Sequence, residues 1–202
     1  MNLRSLENVA KTLCCFSLQQ LRVIDPSFLR LNLNVWHEKW YIDRVSKWRY
    51  TLSSFEKVEE NLFFISNQIY SPSYVSMESA LRYYNLIPEW VFMITSCTTK
   101  KTQKLEWDRW TFYYYHIKPK LMWWYNIIKY NNISFYMASV EKLLCDFFYL
   151  KPNMDDNDIK ELRIDFELLK TLTTKELLLD CAKKFKNKRV YDTMNKFISY
   201  IW

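Results

Sequence analysis

The sequence predicts an α+β protein in two units, and three observations carry that expectation. Within residues 1–54, three helical stretches run into two short strand-like segments. From residue 55, β-rich runs alternate with helical ones, the texture of a mixed α/β domain. From Ser139 onward the pattern is helical. The 202 residues suit a small domain plus a medium one, and a chain half hydrophobic and 18% aromatic can bury a core.

Leu3 to Leu13 reads as a first helix, with Leu3, Leu6, Val9, Ala10 and Leu13 on one face. Ser17 is placed to cap a second, Leu18 to Ile24. Asp25-Pro26-Ser27 makes a turn, and Phe28 to Glu38 forms a third helix. Tyr41 to Val45 and Arg49 to Ser53 alternate β-formers around a short turn. Three helices followed by a hairpin is the order of a winged helix-turn-helix, assigned here to residues 1–54. In residues 55–202, Leu62 to Ile65 reads as a strand, Ser71-Pro72-Ser73 as a break and Val75 to Tyr84 as a helix. Val91 to Thr98, Trp110 to His116 and Ile133 to Met137 read as strands. Ser139 to Leu150, Asp155 to Leu172, Thr174 to Lys186 and Val190 to Ile201 complete a helical C-terminus. No internal repeat or low-complexity linker interrupts this order.

Glycine is missing altogether, while tryptophan occurs nine times. About 14 glycines are expected at an average usage of ~7%, and drawing none is on the order of a one-in-a-million event. Drift toward AT-rich codons lowers Gly, Ala and Pro, but it does not raise Trp. Several tryptophans also occupy glycine-like places. Trp40 follows Glu38-Lys39 where the third helix should end, Trp48 sits in the hairpin turn, and Trp90 follows Pro88-Glu89. The expectation is that many or all of them stand for UGA codons read as glycine, each carrying a positive φ where it sits in a turn.

Charge is distributed unevenly. The whole chain carries a formal +7, and residues 1–54 contribute +4 of it (8 Lys+Arg less 4 Asp+Glu). A basic N-terminal unit suits a polyanionic partner. On the third helix Phe28, Leu29, Leu31, Leu33, Val35 and Trp36 gather on one broad side, and Ser27, Arg30, Asn34 and His37 on the other. The second set is what a recognition helix carries, since Arg forks onto guanine and Asn onto adenine in the major groove. Arg44, Lys47 and Arg49 on the hairpin suit phosphates, which position a protein without reporting sequence. A polar helix face alone is more often just solvated. The element order and the basic hairpin raise double-stranded DNA above that reading. His37, at a helix end, fits a C-terminal cap better than a base reader.

Five cysteines (Cys14, Cys15, Cys97, Cys145, Cys181) include no CxxC pair and are expected to be reduced thiols of a cytoplasmic protein. His37 and His116 are the only histidines and neither is near a cysteine pair, so no metal and no cofactor is expected. Arg4, Glu7 and Lys11 interrupt any signal-peptide pattern. No apolar run approaches the ~20 residues of a spanning helix, so no membrane partner is expected.

The second unit is where the sequence becomes specific. The run from Tyr70 to Glu89 (Tyr-Ser-Pro-Ser-Tyr-Val-Ser-Met-Glu-Ser-Ala-Leu-Arg-Tyr-Tyr-Asn-Leu-Ile-Pro-Glu) is followed in order by Ile94 to Thr102, Phe112 to Pro119 and Ala138 to Asp146. Together these resemble the AbiEi-type antitoxins, also described as transcriptional regulators of viral-defence systems. Val35 to Leu52 is similar to the helix end and wing of that family, so the resemblance covers roughly residues 17–150. Where the family pattern tends to have glycine, this chain has Trp40, Trp48, Trp90, Trp110 and Trp124; Asn85 and Val140 depart from Gly and Pro. The resemblance implies an antitoxin of a type IV toxin–antitoxin system, active in abortive infection. Such a protein binds repeats in its own promoter through the N-terminal unit. Through the C-terminal unit it counteracts a nucleotidyltransferase-like toxin that uses GTP, without a stable complex. It implies no catalytic residue.

Read from the residues alone, Lys100, Lys101 and Lys104 form a basic cluster after a strand, with His116 and Lys118 on or after another. They suit nucleic acid, a toxin or a nucleotide phosphate, and equally suit solvated loop charge. Ser73 or Ser76 reads as an N-cap, and Tyr113-Tyr114-Tyr115 as sheet packing rather than a base-stacking platform. Two other functions stay in view. A stand-alone winged-helix repressor needs no neighbouring toxin gene. A metal-dependent nuclease would draw on Glu106, Asp108, Glu141 and Asp146, although no paired acids with an ExK arrangement, no phosphate-cradling loop and no Ser/His/Asp set is visible.

Overall fold

The protein is described by a computed structural model covering residues 1–88, 93–152 and 156–202. The first unit consists of α1 (Leu3–Leu13), α2 (Leu18–Ile24), α3 (Arg30–Glu38), β1 (Ile42–Ser46) and β2 (Arg49–Leu52). Ser17 starts α2 through a reciprocal capping box. Its hydroxyl accepts from the Gln20 amide at 3.3 Å, and the Gln20 side chain accepts from the Ser17 amide at 2.9 Å. The two strands pair antiparallel with a bulge between Arg44 and Ser46. Phe16 and Tyr50 exchange both backbone hydrogen bonds at 2.8 Å, tying the α1–α2 connection to the hairpin. Leu6, Phe16, Leu21, Phe28, Leu33 and Ile42 form a small core beneath.

α3 begins at Arg30, two residues later than its apolar pattern suggests, because the Asp25 carboxylate holds the preceding turn. Ser27 donates to it twice, from its amide (3.1 Å) and its hydroxyl (2.6 Å). The apolar side of α3 is also narrower than expected. Leu33 is fully buried and Trp36 packs at a tilt against Phe28 with ring centres 5.5 Å apart, but Leu29 and Leu31 are 60% and 65% exposed.

The second unit is built from α4 (Glu59–Ile69), β3 (Ser73–Val75), α5 (Met77–Tyr83), β4 (Met93–Thr98), β5 (Gln103–Trp107), β6 (Trp110–His116), β7 (Tyr125–Tyr130), β8 (Ile133–Ala138) and α6 (Val140–Leu150), then α7 (Asp156–Glu161), α8 (Phe166–Leu172), α9 (Lys175–Lys184) and α10 (Lys188–Ser199). Its six strands form a mixed sheet in the order β5-β6-β4-β3-β8-β7. The pairs β6–β4 and β3–β8 are parallel and the other three antiparallel. Alternation along β4 sends neighbouring side chains to opposite faces. Ser96 meets Ser66 of α4 at 2.8 Å, while the Thr95 hydroxyl accepts from the Ser79 amide of α5 at 3.0 Å. α4 therefore covers one face, and α5 with α6 the other.

Several expectations need correction. Leu62 to Ile65 lies inside α4, not in a strand. A short apolar run buried on all sides reads alike in both states, and Glu59 and Glu60 in the first turn favour the helix N-terminus. Asp155 to Leu172 is not one helix: Arg163 adopts φ 50° and Asp165 caps a fresh start by accepting from the Leu168 amide at 2.9 Å. The edge strands β5 and β7 were not expected, since Gln103, Lys104, Tyr125 and Asn126 are exposed and lack an apolar period. Val91 lies outside the described residues.

The two units pack against each other. Cys15 and Val45 of the first pack within the main cluster of the second. Lys57 bridges Asp43 on β1 (3.6 Å) and Asp108 in the β5–β6 turn (2.8 Å). At the centre of the second unit lies a fully buried polar group. Lys142 and Asp146, one turn apart on α6, form an ion pair with no exposed surface. Lys142 also donates to the Tyr74 hydroxyl (2.7 Å), and Tyr74 and Ser76 donate to Asp146 at 2.8 and 3.0 Å.

Cys15, Cys97, Cys145 and Cys181 are buried, and Cys14 is partly so. Burial pushes the Cys15 thiol up to about 12 and holds Cys97 and Cys145 well above the ordinary thiol range. A native-state titration with a thiol reagent at neutral pH is expected to modify Cys14 alone, the others reacting only on unfolding. Fast modification of two or more thiols would contradict this packing.

Candidate nucleic-acid interface

Arg30 and Asn34 stand one turn apart on α3 and both are exposed. The Arg30 guanidinium lies 5.9 Å from the ring of Trp48, and Lys47 Nζ 5.1 Å from the same ring, so the helix face and the hairpin turn form one surface. Arg49 donates to the Gln20 side chain at 3.0 Å, fastening the hairpin to α2. A hollow of about 120 Å³ between α2, α3 and the hairpin is lined by Arg22 and Arg30 together. Arg22 was not anticipated. Its Nε donates to the Phe28 carbonyl at 3.2 Å, and only the return of the chain after α2 brings it beside Arg30.

Three residues expected in this surface have other work. Ser27 precedes α3 and is held by Asp25. His37 Nδ1 lies 3.1 Å from the Ile42 carbonyl of β1, bracing the passage from α3 to β1 rather than capping the last carbonyls of α3. Arg44 donates to the carbonyls of Ser46 (3.4 Å) and Lys47 (3.3 Å), stiffening the hairpin turn while remaining exposed.

The five basic residues expected on the surface of the second unit separate into three places. Lys100 lines a groove of about 380 Å³ with Arg49, Ser46 and Ser17 of the first unit and with Gln68 and Ser71, and among the described residues no acidic side chain lines it. His116 sits behind Lys100, its Nδ1 2.8 Å from the Lys100 carbonyl, and the neighbouring Lys101 gives its carbonyl to Tyr70. Lys104 is matched by Glu106 at 2.6 Å, which removes it from a free cationic patch. Lys118 is exposed at the head of the 3₁₀ turn Pro119–Leu121. The meeting of Lys100 with Arg49, 51 positions apart in the chain, has no local sequence signal.

The four carboxylates of the nuclease reading are not brought together. Glu106 pairs with Lys104, Asp108 with Lys57, Glu141 accepts from Thr173, and Asp146 is buried against Lys142. Among the described residues, no group of three or more His, Cys, Asp or Glu is arranged to hold a metal ion, and no helix is long and apolar enough to cross a membrane. Tyr114 is buried and donates to the Ser66 carbonyl at 2.8 Å, and Tyr113 and Tyr115 pack together with ring centres 4.6 Å apart. Ser76 stands at the N-cap of α5, but its hydroxyl serves Asp146 instead.

No known family model matches the chain, and no curated protein matches it in sequence.

Proposed function

We propose that the protein is an antitoxin and transcriptional autorepressor of the AbiEi type, whose residues 1–54 act as a winged helix-turn-helix on promoter DNA in the cytoplasm. The observation that carries the DNA half is the pairing of Arg30 and Asn34 on one exposed turn of α3, beside a hairpin that offers Lys47 and Arg49. Arg and Asn at that spacing suit two successive purines in a major groove, with the hairpin cations on the flanking phosphates. The groove beyond Arg49 extends this surface, so that Lys100 of the second unit contributes a further backbone contact.

Support for the antitoxin half comes from the resemblance and from where its segments lie. The four quoted segments supply β3 and most of β4 and β6, three neighbouring strands at the centre of the sheet, together with α5 and much of α6. Their hydroxyls and charges mostly hold that centre together. The counteracting of a GTP-using toxin, without a stable complex, follows from the resemblance alone.

A mobility-shift assay on the gene's own upstream region tests the DNA half, and a co-expression rescue with the adjacent open reading frame tests the other. Affinity is expected to fall steeply with salt, each phosphate contact adding a slope of about 0.9 in log K against log salt. Lys100→Ala should reduce that slope by about 1 without changing sequence preference. An unchanged slope would remove Lys100 from the interface. Absence of a toxin gene beside a working operator would leave a stand-alone repressor.

A further inference from the structure

We infer that positions 40 and 124 are glycine in the protein its source cell makes, UGA being read there as glycine. UGA and the tryptophan codon UGG differ by one base. A translation that reads UGA as Trp therefore turns such glycines into tryptophans, which raises Trp and lowers Gly together in a chain with nine Trp and no Gly.

The backbone supplies an independent argument. Trp40 has φ 58° and Trp124 φ 55°, the left-handed region that a β-carbon disfavours. At Trp40 the surrounding hydrogen bonds define the motif. The Trp40 amide donates to the His37 carbonyl at 3.0 Å, and the Tyr41 amide donates back to the Trp36 carbonyl at 2.9 Å. These are the two bonds of a Schellman C-terminus on α3, with Trp40 at the site where glycine is the usual occupant. Its indole is 78% exposed and so gains little from burial there. The C-terminus of α5 shows what an ordinary sequence places in the same motif. There Asn85 holds φ 56°, with Asn85 donating to Arg82 at 2.9 Å and Leu86 to Leu81 at 2.8 Å. Asn tolerates this conformation; an indole has no such reason to be there. Trp124 lies just ahead of β7, where its carbonyl accepts from the Ser139 amide at 3.1 Å.

The same test limits the inference. Trp48, in the hairpin turn, is not among the residues with positive φ, so the expectation of a left-handed turn there is not met. Trp36 lies within α3 and packs against Phe28, where glycine would weaken the helix. Trp90 lies outside the described residues. Trp110 is buried with its Nε1 unpartnered among the described residues, which agrees with glycine there but does not depend on φ. Position 40 joins α3 to β1. Glycine there sets the angle between helix and hairpin at no steric cost.

The gene and the native protein decide the matter. UGA is expected at both codons, and peptide mass spectrometry of protein purified from the source cell should read glycine at 40 and 124. UGG at either codon, or tryptophan in either native peptide, overturns the inference. In a recombinant chain carrying Trp, Trp40→Gly should shift the folding equilibrium toward the native state by roughly five- to thirtyfold, whereas Trp124→Gly also gives up the contacts of its indole with Trp123 (5.4 Å) and Lys184 (3.9 Å). Trp36→Gly should shift the equilibrium the other way. Loss of stability in Trp40→Gly would also overturn the inference, because the left-handed backbone there would then favour the indole.

Discussion

Asp146→Asn is expected to destabilise the protein by about 3–5 kcal/mol, the cost of leaving a buried cation without its partner. The ammonium of Lys142 has no exposed surface and therefore no water to turn to. Besides Asp146 it is surrounded by the Tyr74 hydroxyl and by the rings of Phe185, Tyr74 and Trp123 at 4.9, 5.1 and 5.5 Å. Rings attract a cation weakly compared with a carboxylate, so they cannot replace it. For a chain of this length the loss corresponds to a fall in Tm of roughly 6–20 °C, readable by calorimetry. Replacing Lys142, Asp146 and Tyr74 together by Met, Leu and Phe removes the charges and the phenol at once, and should recover most of the loss. A midpoint unchanged by Asp146→Asn would show that the pair is not buried as described.

The second large effect concerns DNA. Arg30→Ala with Asn34→Ala should weaken operator binding by roughly two to four orders of magnitude, since each bidentate contact is worth about 1–3 kcal/mol. Both side chains are exposed and leave the small core around Leu33 untouched, so the fold should survive. Rescue from the toxin should persist in cells carrying this variant. Loss of both functions, with normal unfolding, would show that one surface serves both. Point variants separate the roles better than deletion of residues 1–54. Deletion would strip Cys15 and Val45 from the main core and unpair Lys57 from Asp43.

Much of the first unit was legible because its signals are local. Ser17 announces α2 as its cap, and the period of Leu3, Leu6, Ala10 and Leu13 marks α1. α4, the central strand β3 (Ser73–Val75, read as a break running into a helix at Val75) and the edge strands were not legible. Leu62 to Ile65 is apolar in either state, and the exposed residues of β5 and β7 have no period to read. Of the candidate interface, Arg30, Asn34, Lys47 and Arg49 were visible as a polar helix face and a basic turn. Ser27 and His37 had the right residue types, but Asp25 and the Ile42 carbonyl compete for them.

The sequence alone determined the α+β class, the excess of positive charge in the first fifty-odd residues and the absence of glycine, because composition, period and capping act between neighbours along the chain. Only the tertiary structure decided the rest. It paired Lys142 with Tyr74 and set Lys100 beside Arg49. Each depends on where distant segments return in space, which short-range signals do not encode.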